Sequence, residues 1–316
     1  LDRVVFSVIE EAQPRWLAFL NGETDFAGVP GEFITIAAPG GRLAANLERR
    51  GVTKTTSPMP TTLYTYFAME NPVVGGYTPD RVALRRAIAL GYNTPREIEL
   101  VRKRQAVQAQ SVLPPLVSGF DPTLKTEMSD YDPPRARALL DLFGYRDRDG
   151  DGFREQPDGT PLVLEFTGQP DQLSRQLKEV WQKSMSEIGI RMTFRAAAWQ
   201  ENIKASRAGQ LMMWATGWSG ALPDGGYFLD VLYGPNKGQA NHSRFDLPAF
   251  NALYERQRSM PDGPERDAVI AQALRLSVAF MPLKAQVWGQ ATWLAQKGVV
   301  GYVAHPFLRD YWRYMT

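Results

Sequence analysis

The chain has 316 residues, 44% of them apolar and 22% charged, the composition of a soluble globular protein with room for two domains or one large one. Its 36 basic and 34 acidic residues are spread without a basic block or tail, so it lacks the electrostatic footprint of a nucleic-acid or anionic-membrane binder. It has no cysteine and only two histidines, His242 and His305, which excludes disulfides, thiolate chemistry and a multi-histidine metal centre. No uninterrupted apolar run is long enough to span a bilayer.

Leu1 to Ile9 reads as a strand, at the start of a chain that opens without an initiator Met or a signal peptide, as a processed or truncated polypeptide would. Pro14 to Asn21 reads as a short helix through Trp16, Leu17 and Leu20, stopped by Gly22. Residues 28–60, rich in Gly, Pro and Thr, give no clear element. Leu63 to Met69 reads as a strand. Thr78-Pro79-Asp80 opens a helix, with Thr78 placed to cap and Val82, Ala83, Ala87, Ile88 and Leu90 on its apolar face. Asp132-Pro133 opens another, ended by Gly144.

The clearest unit follows. Leu162, Leu164 and Phe166 alternate as in a strand; Leu173, Leu177, Val180, Trp181, Met185 and Ile188 keep helical spacing; Gly189 stops them; Ile190, Met192 and Phe194 alternate again. Strand, helix and strand without a hairpin turn predict a right-handed parallel crossover. A helix near 200–208 leads to a strand at 211–216, two helices follow at about 246–260 and 264–280, and short strand-like runs from Val287 end in Tyr311, Trp312 and Tyr314.

Two segments carry candidate chemistry. The strand at 211–216 is expected to empty into Gly217-Trp218-Ser219-Gly220, then a Pro223-Asp224-Gly225-Gly226 turn and the aromatics Tyr227 and Phe228. Loops at strand ends are where open α/β sheets place ligands, and an aromatic, a carboxylate and pliable backbone suit a binding cleft better than a reaction centre. Trp218 can equally be a packing residue, and Asp224 can be satisfying its own turn. The second segment, Asp147-Arg148-Asp149-Gly150-Asp151-Gly152, matches the start of a calcium loop: Asp147, Asp149 and Asp151 at positions 1, 3 and 5, Gly at 6, the Phe153 carbonyl at 7, Glu155 through water at 9 and Asp158 at 12. Asp158 replaces the usual Glu and a strand follows instead of a helix, so the competing reading is a surface turn and no cofactor.

Several pieces together resemble the extracellular solute-binding family 5, the periplasmic receptors of oligopeptide and dipeptide importers. Leu20-Asn21-Gly22-Glu23-Thr24-Asp25 looks like that family's "L-x-G-E-x-D"; Asn71-Pro72 followed by Arg81 to Ile88 looks like its "N…P…[VL]-R-x-A" helix; Gly217-Trp218 with Asp224, Asn241-x-Ser243-x-Phe245 and Pro248-x-Phe250 resemble its ligand-loop region. The resemblance implies an α/β fold of the periplasmic-binding-protein type II-like bilobal architecture, with one α/β lobe essentially complete and the other partial. Residues 1–58 and 286–316 would belong to the first lobe and 59–285 to the second. Trp218, Ser219, Ala221, Asp224, Tyr227 and Asn241 would face the ligand. The resemblance further implies hinge closure on a small ligand, a membrane permease as partner, no catalysis, and a periplasmic location or a lipid anchor on an outer face. Ala221 stands where peptide-binding relatives carry the acid that pairs with a ligand ammonium, and Asn93 where they carry an aspartate; both departures bear on ligand class. Two rivals remain: a hydrolase using cleft carboxylates or the near-elbow Gly217-Trp218-Ser219-Gly220-Ala221, and a peptide-holding chaperone.

Overall fold

Two long antiparallel strands, β2 (Thr53–Phe67) and β7 (Leu283–Ala295), run through the whole molecule. The computed structural model describes residues 2–307 and 311–315. Before β2 come α1 (Ala12–Leu20), β1 (Phe26–Gly28) and the short helices α2 (Ile34–Ala37) and α3 (Ala45–Arg49). After it come α4 (Pro79–Gly91), α5 (Thr94–Arg96), β3 (Ala106–Gln108) and α6 (Pro133–Leu142). Then follow β4 (Val163–Gly168), α7 (Gln172–Glu187), β5 (Arg191–Ala196), α8 (Trp199–Arg207) and β6 (Met213–Ser219). The helices α9 (Pro248–Arg258) and α10 (Pro264–Phe280) lead into β7. One seven-stranded sheet results, in the order β1-β7-β2-β6-β4-β5, with β3 paired to β7.

The crossover expected at 162–194 is present: β4 and β5 pair in parallel from Val163↔Arg191 to Gly168↔Ala196, joined by α7. The helix starts where Asp171 accepts the Ser174 amide and stops before Gly189, whose φ of 73° is the left-handed conformation of a helix end. Asp132 caps α6 in the same way through the Arg135 amide. Thr78 does not: it precedes α4 in an extended conformation but makes no side-chain cap bond. Asn93, read from sequence as a departure from an aspartate, caps α5 by accepting the Arg96 amide.

Three sequence expectations are corrected. Leu1 lies outside the described residues, and 2–10 form no strand: Val5, Phe6 and Val8 are exposed, and an isolated apolar alternation stays unpaired without a neighbouring strand to accept its hydrogen bonds. The strand expected at 211–216 runs instead from Met213 through Ser219, because β2 supplies a ladder as far as Thr61↔Ser219. The runs after Val287 are one strand, β7, which begins at Leu283; Tyr311–Tyr314 is a single 3₁₀ turn.

Two apolar cores lie along the shared strands. The smaller gathers Trp16, Phe19, Ala37, Ala44, Leu47, Val52 and Leu294; the larger holds Tyr64 to Trp288 and the second half of the chain. Between them the β2–β7 register slips: Pro58 pairs with Gln290, and the next pair is Thr62 with Trp288. Pro58 and Pro60 have no N–H to give to a ladder, which is why pairing lapses there. In the larger core, buried Arg85 donates to the carbonyls of Val74, Gly76, Phe280 and Met281, and Lys284 to those of Ala89 and Met128, tying α4 to the start of β7.

Candidate functional site

β6 has two neighbours for only part of its length. β4 pairs with it only at Met213 and Trp214, so from Ala215 onward β2 alone holds it. Along that free edge opens a cleft of about 460 Å³. Its floor is Thr216-Gly217-Trp218, one wall is α8, and the other is the 238–242 segment. Trp199, Ile203 and Arg207 line the helix wall; spaced by four residues, they form one stripe of α8. Gly217 leaves room for its cross-strand neighbour: a Cβ there would come within 2.7 Å of the end of the Leu63 side chain, which would have to move.

Successive strand residues face opposite sides of a sheet. Ser219 therefore belongs to a second cleft, of about 410 Å³, lined by Pro58 to Thr61 at the register slip and by Ala291, Trp293 and His305. The Ser219 hydroxyl is 2.8 Å from that of Thr61. As the last residue of a strand paired to Thr61 it does not stand on the strand-to-helix turn that a nucleophile elbow needs.

The residues expected at the ligand site divide. Trp218 lines the first cleft; its indole N–H donates to the Tyr227 carbonyl at 3.1 Å and its ring stacks on Tyr227 with centroids 5.3 Å apart. Ala221 is exposed. Asp224 is spent on structure: one carboxylate oxygen accepts from the Gly226 amide and from the Arg266 guanidinium, each at 2.8 Å. Gly225 beside it has no room for a side chain, since a Cβ would meet the Ser118 carbonyl at 2.0 Å. Asn241, expected to face the ligand, holds the backbone of its own segment. It is fully buried; its amide donates to the carbonyls of Tyr233 and Phe245, and its oxygen accepts from the Ser243 hydroxyl and the Phe245 amide. Both donors and both acceptor sites are used, leaving nothing for a ligand.

Three groups in the cleft were not legible as ligand-facing. Trp199 packs on Trp214 at 5.0 Å. His242, expected as a surface or hydrogen-bonded histidine, is buried against Tyr66 and Trp214, and its Nδ1 has no partner. Burial, and then the Arg207 charge, push its pKa down to about 4, so the ring is neutral at ordinary pH. The Arg207 guanidinium makes no hydrogen bond or ion pair among the described residues. The neighbouring cations do: Arg244 pairs with Glu70, and Lys237 with Asp246. The detectable signal for Trp199 and Arg207 was the 199–203–207 stripe of α8; His242 lies outside it.

The acidic segment is built otherwise. Oxygens of Asp147, Asp149 and Asp151 lie within 4.8 Å of one another and are exposed. Asp147 accepts the amides of Gly150 and Gly152, Asp149 that of Asp151, and Asp151 that of Phe153 and the guanidinium of Arg191. Asp158, expected as the twelfth ligand, is not in the cluster; it accepts from the amide and hydroxyl of Thr160. The Glu155 carboxylate takes the Arg148 amide. A calcium loop gathers its oxygens around one centre and closes on its twelfth residue. Here three carboxylates lie together and also accept backbone amides, and the twelfth residue does not join them.

With this geometry established, similarity to known proteins adds the following. The family model of bacterial extracellular solute-binding proteins, family 5 Middle, matches residues 1–240. Di/tripeptide-binding protein 2 of Pseudomonas aeruginosa is 29% identical over 242 residues, covering 74% of this chain and 42% of that protein. The dipeptide-binding protein of Escherichia coli is 24% identical over 229 residues, covering 72% and 41%. The matched part of the chain thus spans less than half the length of these relatives. Among solved structures, the oligopeptide-binding protein AppA of Bacillus subtilis in complex with a nonapeptide superposes with a TM-score of 0.80 at 17% identity, over 98% of this chain and 59% of that one. NikZ of Campylobacter jejuni in complex with Ni(L-His) gives 0.75 at 15%, over 98% and 60%. These likenesses establish the fold as mixed α/β and periplasmic-binding-protein type II-like.

Proposed function

Because the chain belongs to the bacterial extracellular solute-binding proteins of family 5, we propose that it is the ligand-capturing part of an ABC importer's receptor. It takes up a small solute beside β6, closes around it, and hands it unchanged to a membrane permease. The observation that carries this reading is the pair of clefts flanking β6: one of Trp199, Trp218, His242 and Arg207 at its free edge, the other lined by Pro58 to Thr61 at the slip and by Ala291 and Trp293. Aromatics with a few convergent polar groups are the lining of a small-molecule site.

The slip supplies the hinge. Residues 53–58 and 290–295 pair on the side of the smaller core, and 62–67 and 283–288 on the side of the larger. A strand pair whose ladder lapses for a few residues bends there at low cost, and hinge closure needs only a few such positions. In this reading the lobes meet near Pro58 in β2 and near Gly289 in β7, a few residues beyond the crossing near 286 expected from sequence, so that the second lobe extends from 59 to 288. No helix among the described residues is long and apolar enough to cross a membrane, which suits a receptor working in the periplasm or at an outer cell face.

The test is native mass spectrometry of the intact protein, followed by calorimetric titration with the released small molecule and small-angle scattering with and without it. Saturable one-to-one binding, compaction on binding and recovery of the ligand unchanged are the expected results. Conversion of the ligand would establish a hydrolase instead. Affinity for unfolded chains without small-ligand selectivity would establish a chaperone.

A further inference from the structure

We propose that the solute is an organic anion: an acidic group docks on Arg207 while an apolar or aromatic body lies against Trp199 and Trp218. This rests on the solute-binding reading above and names its ligand class. Three observations converge on it. First, no carboxylate lines either of the two clefts flanking β6, among the described residues. Asp224 lines neither cleft and holds Gly226 and Arg266 through one oxygen, and Ala221 offers no polar group. A ligand ammonium entering here would shed water and find no counter-charge, a loss the aromatics only partly offset.

Second, Arg207 is the single lining residue with a permanent charge in the β6 cleft, and its guanidinium has no partner among the described residues. The acids of the adjoining surface, Glu70 and Asp246, are held by Arg244 and Lys237. A planar guanidinium with free donors matches a carboxylate or a phosphate two bonds at a time. Third, His242 is buried beside it with an unpartnered Nδ1, and the Arg207 charge helps keep the ring neutral. A neutral imidazole places no second positive charge beside Arg207, so the cleft favours one acidic group over a polyanion. The competing role for Arg207 is internal. It ends α8, where a cation is attracted to the last carbonyls of the helix.

The experiment titrates the intact protein with three ligands of one shape: indole-3-acetate, its neutral amide, and tryptamine. Phenyl phosphate and phenylacetate serve as a second pair to separate phosphate from carboxylate. Acid is expected to bind about tenfold or more tighter than amide, the difference that one charge-assisted contact makes, and amine below detection. Arg207→Gln should bring the acid-over-amide affinity ratio close to one, Arg207→Lys should restore part of it, and melting temperatures should stay close to wild type. Equal or tighter binding of amine, or an Arg207→Gln variant that keeps full preference for acid, overturns the assignment while leaving solute binding intact. If none of the probes binds, the small molecule that leaves the protein in native mass spectrometry decides by its charge: an anion supports the assignment and a cation or neutral compound overturns it. If no small molecule is found either, the solute-binding reading fails together with it.

Discussion

The acidic turn at 147–160 and the cleft beside β6 hold side chains of similar promise and spend them in opposite ways. In the turn, Asp147, Asp149, Asp151 and Asp158 each accept a backbone amide two to five residues away, and Arg191 covers Asp151. Short polar side chains in turns are consumed locally because the nearest donor is their own backbone. In the cleft, Arg207 and Nδ1 of His242 are left without partners, because β6, α8 and the 238–242 segment bring them together from separate parts of the chain. Availability to a ligand therefore depends on what the local backbone has already claimed, more than on how polar the segment is.

The sharpest way to break this contrast is Asn241→Ala. If Asn241 is scaffold, removing four buried hydrogen bonds should lower stability by about 2–4 kcal/mol, each unsatisfied partner adding its desolvation cost; urea unfolding measures it. A variant of unchanged stability and lost affinity would return Asn241 to the ligand site.

The next effect is a pH dependence that belongs to the cleft. The folded pKa of His242, about 4, lies below the ordinary histidine value near 6.5. The unfolded chain therefore takes up the proton first as pH falls. Stability from this residue is full above about 6.5, declines as pH falls toward 4 by up to about 3 kcal/mol, and then levels off. His242→Gln should flatten the unfolding free energy between pH 6.5 and 5, above the range in which most carboxylates titrate. An unchanged slope would mean that the ring is hydrated and the cleft is less dry than described.

Trp218→Ala should weaken binding of the solute by more than about 1 kcal/mol, since a cleft aromatic buries large area against its ligand. Calorimetry on a folded variant decides it: unaltered affinity would reduce Trp218 to a platform for Tyr227. The smallest effect is expected in the turn. Millimolar calcium should leave the melting temperature unchanged, because an ion that finds no site in the folded state adds no linkage free energy. A saturable rise that disappears in Asp149→Ala would show that the carboxylates can leave the backbone for a metal, and the contrast between the two regions would collapse.

Much of the second half of the chain was legible because its signals are local. The 162–194 crossover announced itself by a change of period from two to helical and back, with Gly189 as its stop. The site was legible in part. Gly217-Trp218 marked the right strand, but the strand's true end at Ser219 depended on a partner more than 150 residues away, which no local pattern reveals. Asn241 and Asp224 were read as ligand groups because type and position matched; their donors and acceptors turned out to be engaged at Phe245, Ser243, Gly226 and Arg266. Trp199 and Arg207 passed unnoticed, since an aromatic and a cation on an amphipathic helix look the same whether they face solvent or a cleft.

The sequence by itself determined the α/β class, the cap of α6, the stops of three helices, and the absence of thiol, multi-histidine and membrane-spanning helix chemistry, because each depends on residue type or on contacts a few positions apart. Only the tertiary structure decided that residues 2–10 stay unpaired, that β2 and β7 run through two cores with a slip at Pro58, and which polar groups remain open in the cleft. Strand pairing and desolvation are properties of neighbours in space. A backbone amide, a guanidinium or an imidazole takes its role from whatever distant segment satisfies it or leaves it unsatisfied.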